Sequence, residues 1–249
     1  MKKLFLLGLI TVFIVACSSK ETNFNLSGKV DGLKKGTLYL QKIEDTSIVN
    51  IDSLKVDGDP EFSLQANIDE PQILFLYLDK VDGDKNDDIV EFFAEEGEMT
   101  INTTLKNFTL DANVNGSKNH VKLKEYRDMM KRFNNQNLDL IKENFEAQQQ
   151  NDEEKLLAVN KKYESNLRRK YLYTVNYAIN NKAYEVSPYI MLTEAFDANT
   201  KYLDTVYNSL EKKVRKSKYG KELKSYIKER KKLENLEEKV ETEEKDLEK

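Results

Sequence analysis

The sequence has 249 residues, a formal net charge of −4 at pH 7 and a mean hydropathy of −0.70. Thirteen tyrosines and eleven phenylalanines supply large apolar side chains for a core, so the composition excludes a disordered chain. An acidic chain with no concentrated basic segment also argues against nucleic acid as a partner. We therefore expect one sizeable folded domain or two small ones.

The N-terminus has the pattern of a secretory signal. Lys2 and Lys3 form a basic region, residues 4–15 form an apolar run, and the small residue Ala16 precedes Cys17. The run is too short to cross a bilayer core of about 30 Å. Residues 14–17 also resemble a bacterial lipobox, in which the cysteine is diacylated and becomes the first residue of the mature protein. We predict a lipoprotein signal peptide over residues 1–16, lipidation at Cys17 and a polar tether over residues 17–23.

Lipidation would consume the only thiol, because Cys17 is the only cysteine in the sequence. We therefore expect no disulfide, no thiolate nucleophile and no thiolate metal ligand in the mature protein. Acyl chains such as palmitate contribute about 0.8 kcal/mol per buried methylene, and more than one chain gives stable anchoring. The expected partner of acylated Cys17 is membrane lipid, which holds the protein without a spanning helix.

Residues 24–116 have the pattern of short strands separated by turns. Apolar residues alternate with polar ones from Phe24 to Val30, a period of two that fits a half-buried strand. Further strands are predicted at residues 37–43, 47–53, 61–67, 72–78, 89–93, 99–103 and 108–114, with glycine-containing turns between several of them. This spacing favours an antiparallel β-sandwich or a partly open barrel.

Residues 117–230 have helical periodicity instead. Apolar residues recur at intervals of three and four through two long segments, which are separated by Asn151 and the predicted N-cap Asp152. Ser187 is predicted as an N-cap with Pro188 at the first helical position. Gly220 marks a joint before a last helix, and residues 231–249 form a charged helical tail. The fold class is therefore α+β, with a β-rich domain followed by an all-helical half.

The first strands resemble a known domain. The similarity is carried by the pattern Phe24-x-Leu26-x-Gly28-x-Val30-x-Gly32-Leu33-x-x-Gly36-Thr37-x-Tyr39-Leu40, and it continues through Asp52-Ser53, Asp57-Gly58, Glu61-Phe62-Ser63, Phe92-Phe93-x-Glu95-x-Gly97 and Gly116-Ser117. These residues resemble a domain of unknown function of the DUF4369 type, found in lipoproteins of Bacteroidetes. That domain usually precedes a thioredoxin-like thiol–disulfide oxidoreductase domain. Residues 187–189 and 218–221 resemble the segment that leads into the redox domain.

The resemblance does not extend to redox chemistry. Where longer members of the family continue into a domain with two cysteines, this sequence continues into its charged tail and has no second cysteine. The resemblance therefore implies fold and location, and it implies an accessory half for which the family has no assigned reaction.

Two patterns are candidates for metal or catalytic sites. Asp82, Asp84 and Asn86 match the first three ligand positions of an EF-hand loop, but Asp87 replaces the required glycine and Phe93 replaces the distal glutamate. We therefore expect a solvated loop over residues 79–88 and no bound metal. His120 is the only histidine and lies in no catalytic motif, so we expect a polar residue in the first turn of a helix.

Tyrosines at helical spacing (Tyr163, Tyr171, Tyr173, Tyr177, Tyr184 and Tyr189) could line a carbohydrate or peptide groove, but they fit a helical core better. The sequence has no phosphate loop or dinucleotide fingerprint, so we expect no cofactor.

The hypothesis that follows is a lipid-anchored, non-catalytic binding or accessory module facing the periplasm or the cell surface, in the cell envelope and at the outer membrane. Two alternatives stay open. One is a scaffold partner of a separate thioredoxin-like or outer-membrane protein, docking through the helical half. The other is a hydrolase of envelope glycans or peptides that works through paired carboxylates.

Overall fold

Eight strands in two four-stranded sheets precede six helices in the part of the chain that the computed structural model describes, residues 22–80 and 88–247. The strands are β1 (Phe24–Asp31), β2 (Lys35–Glu44), β3 (Ser47–Asp57), β4 (Glu61–Ala66), β5 (Gln72–Asp79), β6 (Ile89–Ala94), β7 (Gly97–Thr104) and β8 (Asn113–Asn115). The helices are α1 (Lys118–Gln149), α2 (Glu153–Asn180), α3 (Val186–Glu194), α4 (Thr200–Ser209), α5 (Lys212–Lys216) and α6 (Lys218–Leu247). The predicted α+β class is confirmed.

The two sheets are open rather than closed into one barrel. Sheet A has the order β4-β1-β7-β8, and sheet B has the order β3-β2-β5-β6. Every neighbouring pair is antiparallel except β1 and β7, which run parallel from Phe24 opposite Gly97 to Asp31 opposite Thr104. Gly28 permits this close pairing, because a Cβ atom at that position would lie 1.8 Å from the carbonyl oxygen of Ile101. The parallel pair departs from the antiparallel expectation.

The core of the β half lies between the two sheets. Side chains alternate along the strands as expected for sheets with one covered face, most clearly in β4, where every second residue is buried. The core that results is aliphatic and phenylalanine-rich. Its largest fully buried members include Phe24, Leu26, Leu38, Leu40, Leu64, Leu74, Leu76 and Phe92.

The last predicted strand, residues 108–114, is largely wrong. Turns occupy residues 106–110, and β8 is limited to Asn113–Asn115. Phe108 is nevertheless buried in the β core, and its carbonyl accepts a 2.7 Å hydrogen bond from the hydroxyl of Thr103. This hydrogen bond fixes a turn that buries the ring of Phe108. A buried aromatic residue is also typical of a strand, which explains why the sequence predicted one here.

Two of the predicted helix caps have different outcomes. Asp152 is the N-cap of α2 as predicted, since its side chain accepts a hydrogen bond from the backbone N–H of Lys155. The prediction for Ser187 is wrong, because α3 already begins at Val186. The hydroxyl of Ser187 is buried and donates to the carbonyl of Ala178 in α2 at 2.8 Å. Ser187 therefore fastens two helices together instead of starting one.

The helices form a second core of their own around α1, α2, α3 and α6. The last helix, α6, is continuous through residue 230, where the sequence predicted the start of a separate tail. None of the described helices is both long enough and apolar enough to span a bilayer.

The distal parts of α1 and α2, residues 134–149 and 153–169, form an antiparallel helical hairpin that we call the arm. Among the described residues, the side-chain hydrogen bonds and ion pairs of the arm stay within residues 133–169. Leu140, Ala147 and Val159 are buried between its two helices. At 1.5 Å per residue the α1 part of the arm is about 24 Å long.

Candidate functional site

The two halves of the molecule meet at the outer face of β6, and we call this contact the seam. Phe92 and Phe93 are neighbours in β6, so their side chains point to opposite faces of sheet B. Phe92 belongs to the β core, whereas Phe93 is fully buried in the helical core. The Phe93 ring makes edge contacts with Tyr189 of α3 and Tyr219 of α6, at centroid distances of 5.7 and 5.8 Å.

Hydrogen bonds add polar links across the seam. The carboxylate of Glu91 in β6 accepts a bond of 2.5 Å from the guanidinium of Arg127 in α1 and one of 3.0 Å from the hydroxyl of Tyr189. Burial, followed by the nearby Glu91 charge, raises the pKa of Tyr189 above its ordinary value. The phenol therefore stays protonated at neutral pH and keeps donating to Glu91.

His120 lies in the first turn of α1, where the sequence predicted it. Its Nδ1 atom accepts a hydrogen bond of 3.3 Å from the backbone N–H of Phe93. Burial, followed by the positive charge of Arg127, lowers the pKa of His120 to about 4. The imidazole is therefore neutral at pH 7 and serves as an acceptor within the seam.

A cleft opens beside the seam, between the tip of the β2–β3 hairpin and the helices α3 and α6. Its volume is about 690 Å³, within the range of ligand pockets. Apolar and aromatic side chains line it: Ile43, Ile51, Ile73, Phe75, Tyr189 and Tyr219. Charged side chains surround them, with acidic groups in excess: Lys42, Glu44, Asp45, Asp69, Glu70, Lys218 and Glu222.

The cleft exists because β2 leaves the sheet early. Strands β2 and β5 pair only as far as Gln41 opposite Phe75, and a bulge lies between Leu40 and Gln41 in the β2–β3 pairing. Beyond that point the backbone N–H of Ile73 donates to the phenol oxygen of Tyr219 at 2.9 Å. A side chain of α6 thus provides the acceptor for a backbone donor of β5, and the pKa of Tyr219 is raised to about 12, chiefly by burial.

Glu70 fixes the opposite wall of the cleft. Its carboxylate accepts a hydrogen bond of 2.7 Å from the backbone N–H of Lys218, the first residue of α6. A negative charge at a helix N-terminus is favourable, so this contact ties the β4–β5 loop to α6. Burial raises the pKa of Glu222 one turn further on, and the Lys218 charge acts in the opposite direction.

A smaller cavity of about 350 Å³ continues from the cleft and shares Ile68, Asp69 and Glu70 with it. Lys213 and Lys216 of α5 lie on its helical side. The two cavities therefore follow the boundary between the halves on either side of the β4–β5 loop.

Several residues that the sequence indicates as sites lie outside the part of the chain that the structure describes. Cys17 lies outside the described residues, as do Asp82, Asp84 and Asn86. Next to that loop, Asp88 is buried and forms an ion pair with Lys80. Within residues 22–80 and 88–247, no group of three histidine, cysteine or acidic side chains is arranged to hold a metal ion.

The tyrosines divide between core and site. Tyr173 stacks on the buried Tyr126 and Tyr177 contacts it at a tilt, as expected for a helical core, whereas Tyr163 lies on the arm. Only Tyr189 of this predicted set reaches the cleft. Tyr219 was not recognised as a site residue, although it belongs to one of the two helical segments that carry the sequence resemblance.

The fold and the cleft define a two-part α+β protein with a ligand-sized cavity at the boundary of its parts. Residues 24–123 match the model of a family described as "Domain of unknown function (DUF4369)". This match confirms, over residues 24–123, the resemblance to that domain that was read from the sequence. No curated protein and no solved structure matches the chain.

Proposed function

We propose that this protein is a lipid-anchored component of the bacterial cell envelope, at the outer membrane, and that it works as a non-catalytic binding module. The anchoring part rests on the signal pattern of residues 1–16 and on Cys17. The binding part rests on the cleft of about 690 Å³, whose walls come from both halves of the molecule.

The polar groups at the base of the cleft support binding rather than catalysis. Tyr189 donates to Glu91, Tyr219 accepts from Ile73, and Glu70 accepts from the first residue of α6. These groups are occupied in holding the walls together, and such preorganisation lowers the cost of ordering a site when a ligand binds.

The lining of the cleft favours a ligand that combines apolar and positively charged groups. Ile43, Ile73 and Phe75 offer apolar contact, while the surrounding charges are mostly carboxylates. A basic, hydrophobic peptide segment has this chemistry. The observation that carries the proposal is the joint presence of the apolar lining and the acidic excess in one cavity.

A pair of short peptides tests the ligand class. We expect a peptide of alternating leucine and lysine to bind and a leucine–glutamate peptide of equal length not to bind, as followed by NMR shifts of the Gln72–Phe75 amides. Glu222→Lys should weaken binding, whereas Glu229→Lys, also on α6 but outside the cleft, should not. Equal binding of both peptides, or binding indifferent to Glu222→Lys, would contradict the proposal.

The anchoring part has its own test. Mass spectrometry of protein isolated from membranes should show diacylated Cys17 as the first residue, and Cys17→Ala should move the protein to the soluble fraction. An unmodified N-terminus at another position would rule out this mode of attachment and leave the peptide result unaffected.

A further inference from the structure

The two broad faces of the arm differ in chemistry. On one face, polar contacts join α1 to α2: Glu143 with Lys162 at 2.8 Å, Gln136 with Arg169 at 3.0 Å, and Glu146 with Lys155 at 3.9 Å. Charged side chains on this face therefore have partners within the same chain.

The other face is apolar and exposed. Leu138, Ile141 and Phe145 follow one another at intervals of three and four residues on α1 and are 63%, 54% and 60% exposed. Tyr163 and Leu167 are four residues apart on α2, so they lie on the same side of that helix, and both are exposed. Ile141 and Tyr163 line a shallow cavity of about 240 Å³ between the helices, so the two rows lie on one face. A contiguous exposed patch of this kind marks an interaction surface.

Two charges flank this apolar face, one on each helix. Lys142 follows Ile141 and lies four residues from Leu138, while Glu164 follows Tyr163 and lies three residues from Leu167. Both are exposed, and neither forms an ion pair with another described residue, unlike the charges on the opposite face.

We infer that the apolar face of the arm binds the same face of a second copy of this chain. A two-fold axis through the cavity between Ile141 and Tyr163 would lay α1 of each copy across α2 of the other. Glu143 of α1 pairs with Lys162 of α2, so Lys142 and Glu164 lie at nearly the same level on the two antiparallel helices, and each lysine would lie near the glutamate of the second copy. An isologous interface requires this self-complementarity.

The size of the face sets the strength of the interaction. Five side chains exposed to this degree present accessible surface on the order of 500 Å² per copy, since a large aromatic side chain buries about 150–250 Å² when it is fully covered. A standard stable interface buries about 800 Å² per partner. We therefore expect a reversible dimer whose population depends on protein concentration.

Charge reversal tests the pairing. Sedimentation of the full chain in mild detergent should show a monomer–dimer equilibrium. Lys142→Glu and Glu164→Lys should each weaken it about tenfold, because each places like charges together twice. The double variant Lys142→Glu/Glu164→Lys should restore it, and Glu143→Lys on the opposite face should leave it unchanged. Circular dichroism checks that each variant is folded.

Cross-linking in the cell envelope gives a second measurement. Lys142→Cys combined with Glu164→Cys should form a disulfide-linked dimer under mild oxidation, whereas Glu143→Cys combined with Glu164→Cys should not. A monomer at every concentration, a dimer indifferent to both charge reversals, or a double variant that fails to recover would each overturn the inference. So would cross-linking of positions 142 and 164 to a different protein in place of a second copy.

Discussion

The β core and the helical core bury different kinds of side chain. Among the described residues, the β core consists of aliphatic and phenylalanine side chains and includes no tyrosine. The helical core buries Tyr126 and Tyr219. Eight further tyrosines, each partly buried, pack against this core. The boundary between these two chemistries falls between adjacent residues of β6, Phe92 and Phe93.

The difference follows from how each half pairs its backbone hydrogen-bond donors and acceptors. Within the sheets, neighbouring strands pair the backbone groups, so the side chains between sheets need only be apolar. Helix ends and the turns between helices leave backbone groups without partners, and a tyrosine hydroxyl reaches one of them: Tyr226 donates to the carbonyl of Phe196, in the turn after α3. The β core therefore depends on volume, and the helical core depends also on hydrogen-bond geometry.

The largest expected effect comes from Phe92→Ala and Phe93→Ala, which test the boundary directly. Each change should lower the free energy of unfolding by about 3–5 kcal/mol, because each leaves a buried cavity. Hydrogen exchange should separate the two: Phe92→Ala should loosen the strands of both sheets, and Phe93→Ala should loosen α3 and the start of α6.

Leu110→Ala is the matched control, since Leu110 is 87% exposed and should change the free energy of unfolding by no more than about 0.5 kcal/mol. If both phenylalanine variants loosened the same elements, the two cores would not be separate.

A smaller effect is expected from pH, through His120 at the seam. The folded-state pKa is about 4, against an ordinary value of 6.5, so the unfolded chain binds more protons between these values. The contribution of His120 to stability should be complete above pH 6.5 and should decrease as the pH falls towards 4, by on the order of 1–2 kcal/mol at pH 5.

Urea unfolding at pH 5 and pH 7 measures this loss, and His120→Gln isolates it because glutamine keeps an acceptor but does not titrate. The variant should lose less stability than the unmodified protein between these pH values. Identical losses in both proteins would show that His120 is not the group responsible.

The smallest effect concerns one hydrogen bond in the helical core. The hydroxyls of Tyr126 and Thr174 lie 2.8 Å apart in a buried position. Tyr126→Phe should lower the free energy of unfolding by about 1 kcal/mol. Thr174→Val in the same chain should then cost less than it does alone, because the two groups act as a pair. Strict additivity in this double-mutant cycle would argue against a polar requirement in the helical core.

Local features of the fold were readable from the sequence. The alternation from Phe24 to Val30 and the turns between the later segments predict seven of the eight strands closely, and the prediction of Asp152 as a helix cap is confirmed. The errors at Phe108 and Ser187 have a common cause. Both side chains have local preferences that tertiary contacts override, since Phe108 is buried from a turn and Ser187 is used to join α3 to α2.

The candidate site was not readable in the same way. The cleft brings together Ile43, Ile73 and Tyr219, which are far apart in sequence and contribute only ordinary apolar or aromatic positions to their own elements. Its cause is the point at which β2 stops pairing with β5, and no local pattern encodes where that pairing ends. The parallel β1–β7 pair is hidden for the same reason.

That parallel pair also governs the order in which the chain can fold. Sheet B contains two pairs of consecutive strands, β2–β3 and β5–β6, whereas β1 must wait for β7, with residues 32–96 lying between them. Closing so long a loop costs more entropy than closing a hairpin, and non-local pairing slows folding. During synthesis or export the first strand to emerge therefore lacks its parallel neighbour until Thr104 is available, and sheet A is complete only after β8 has followed.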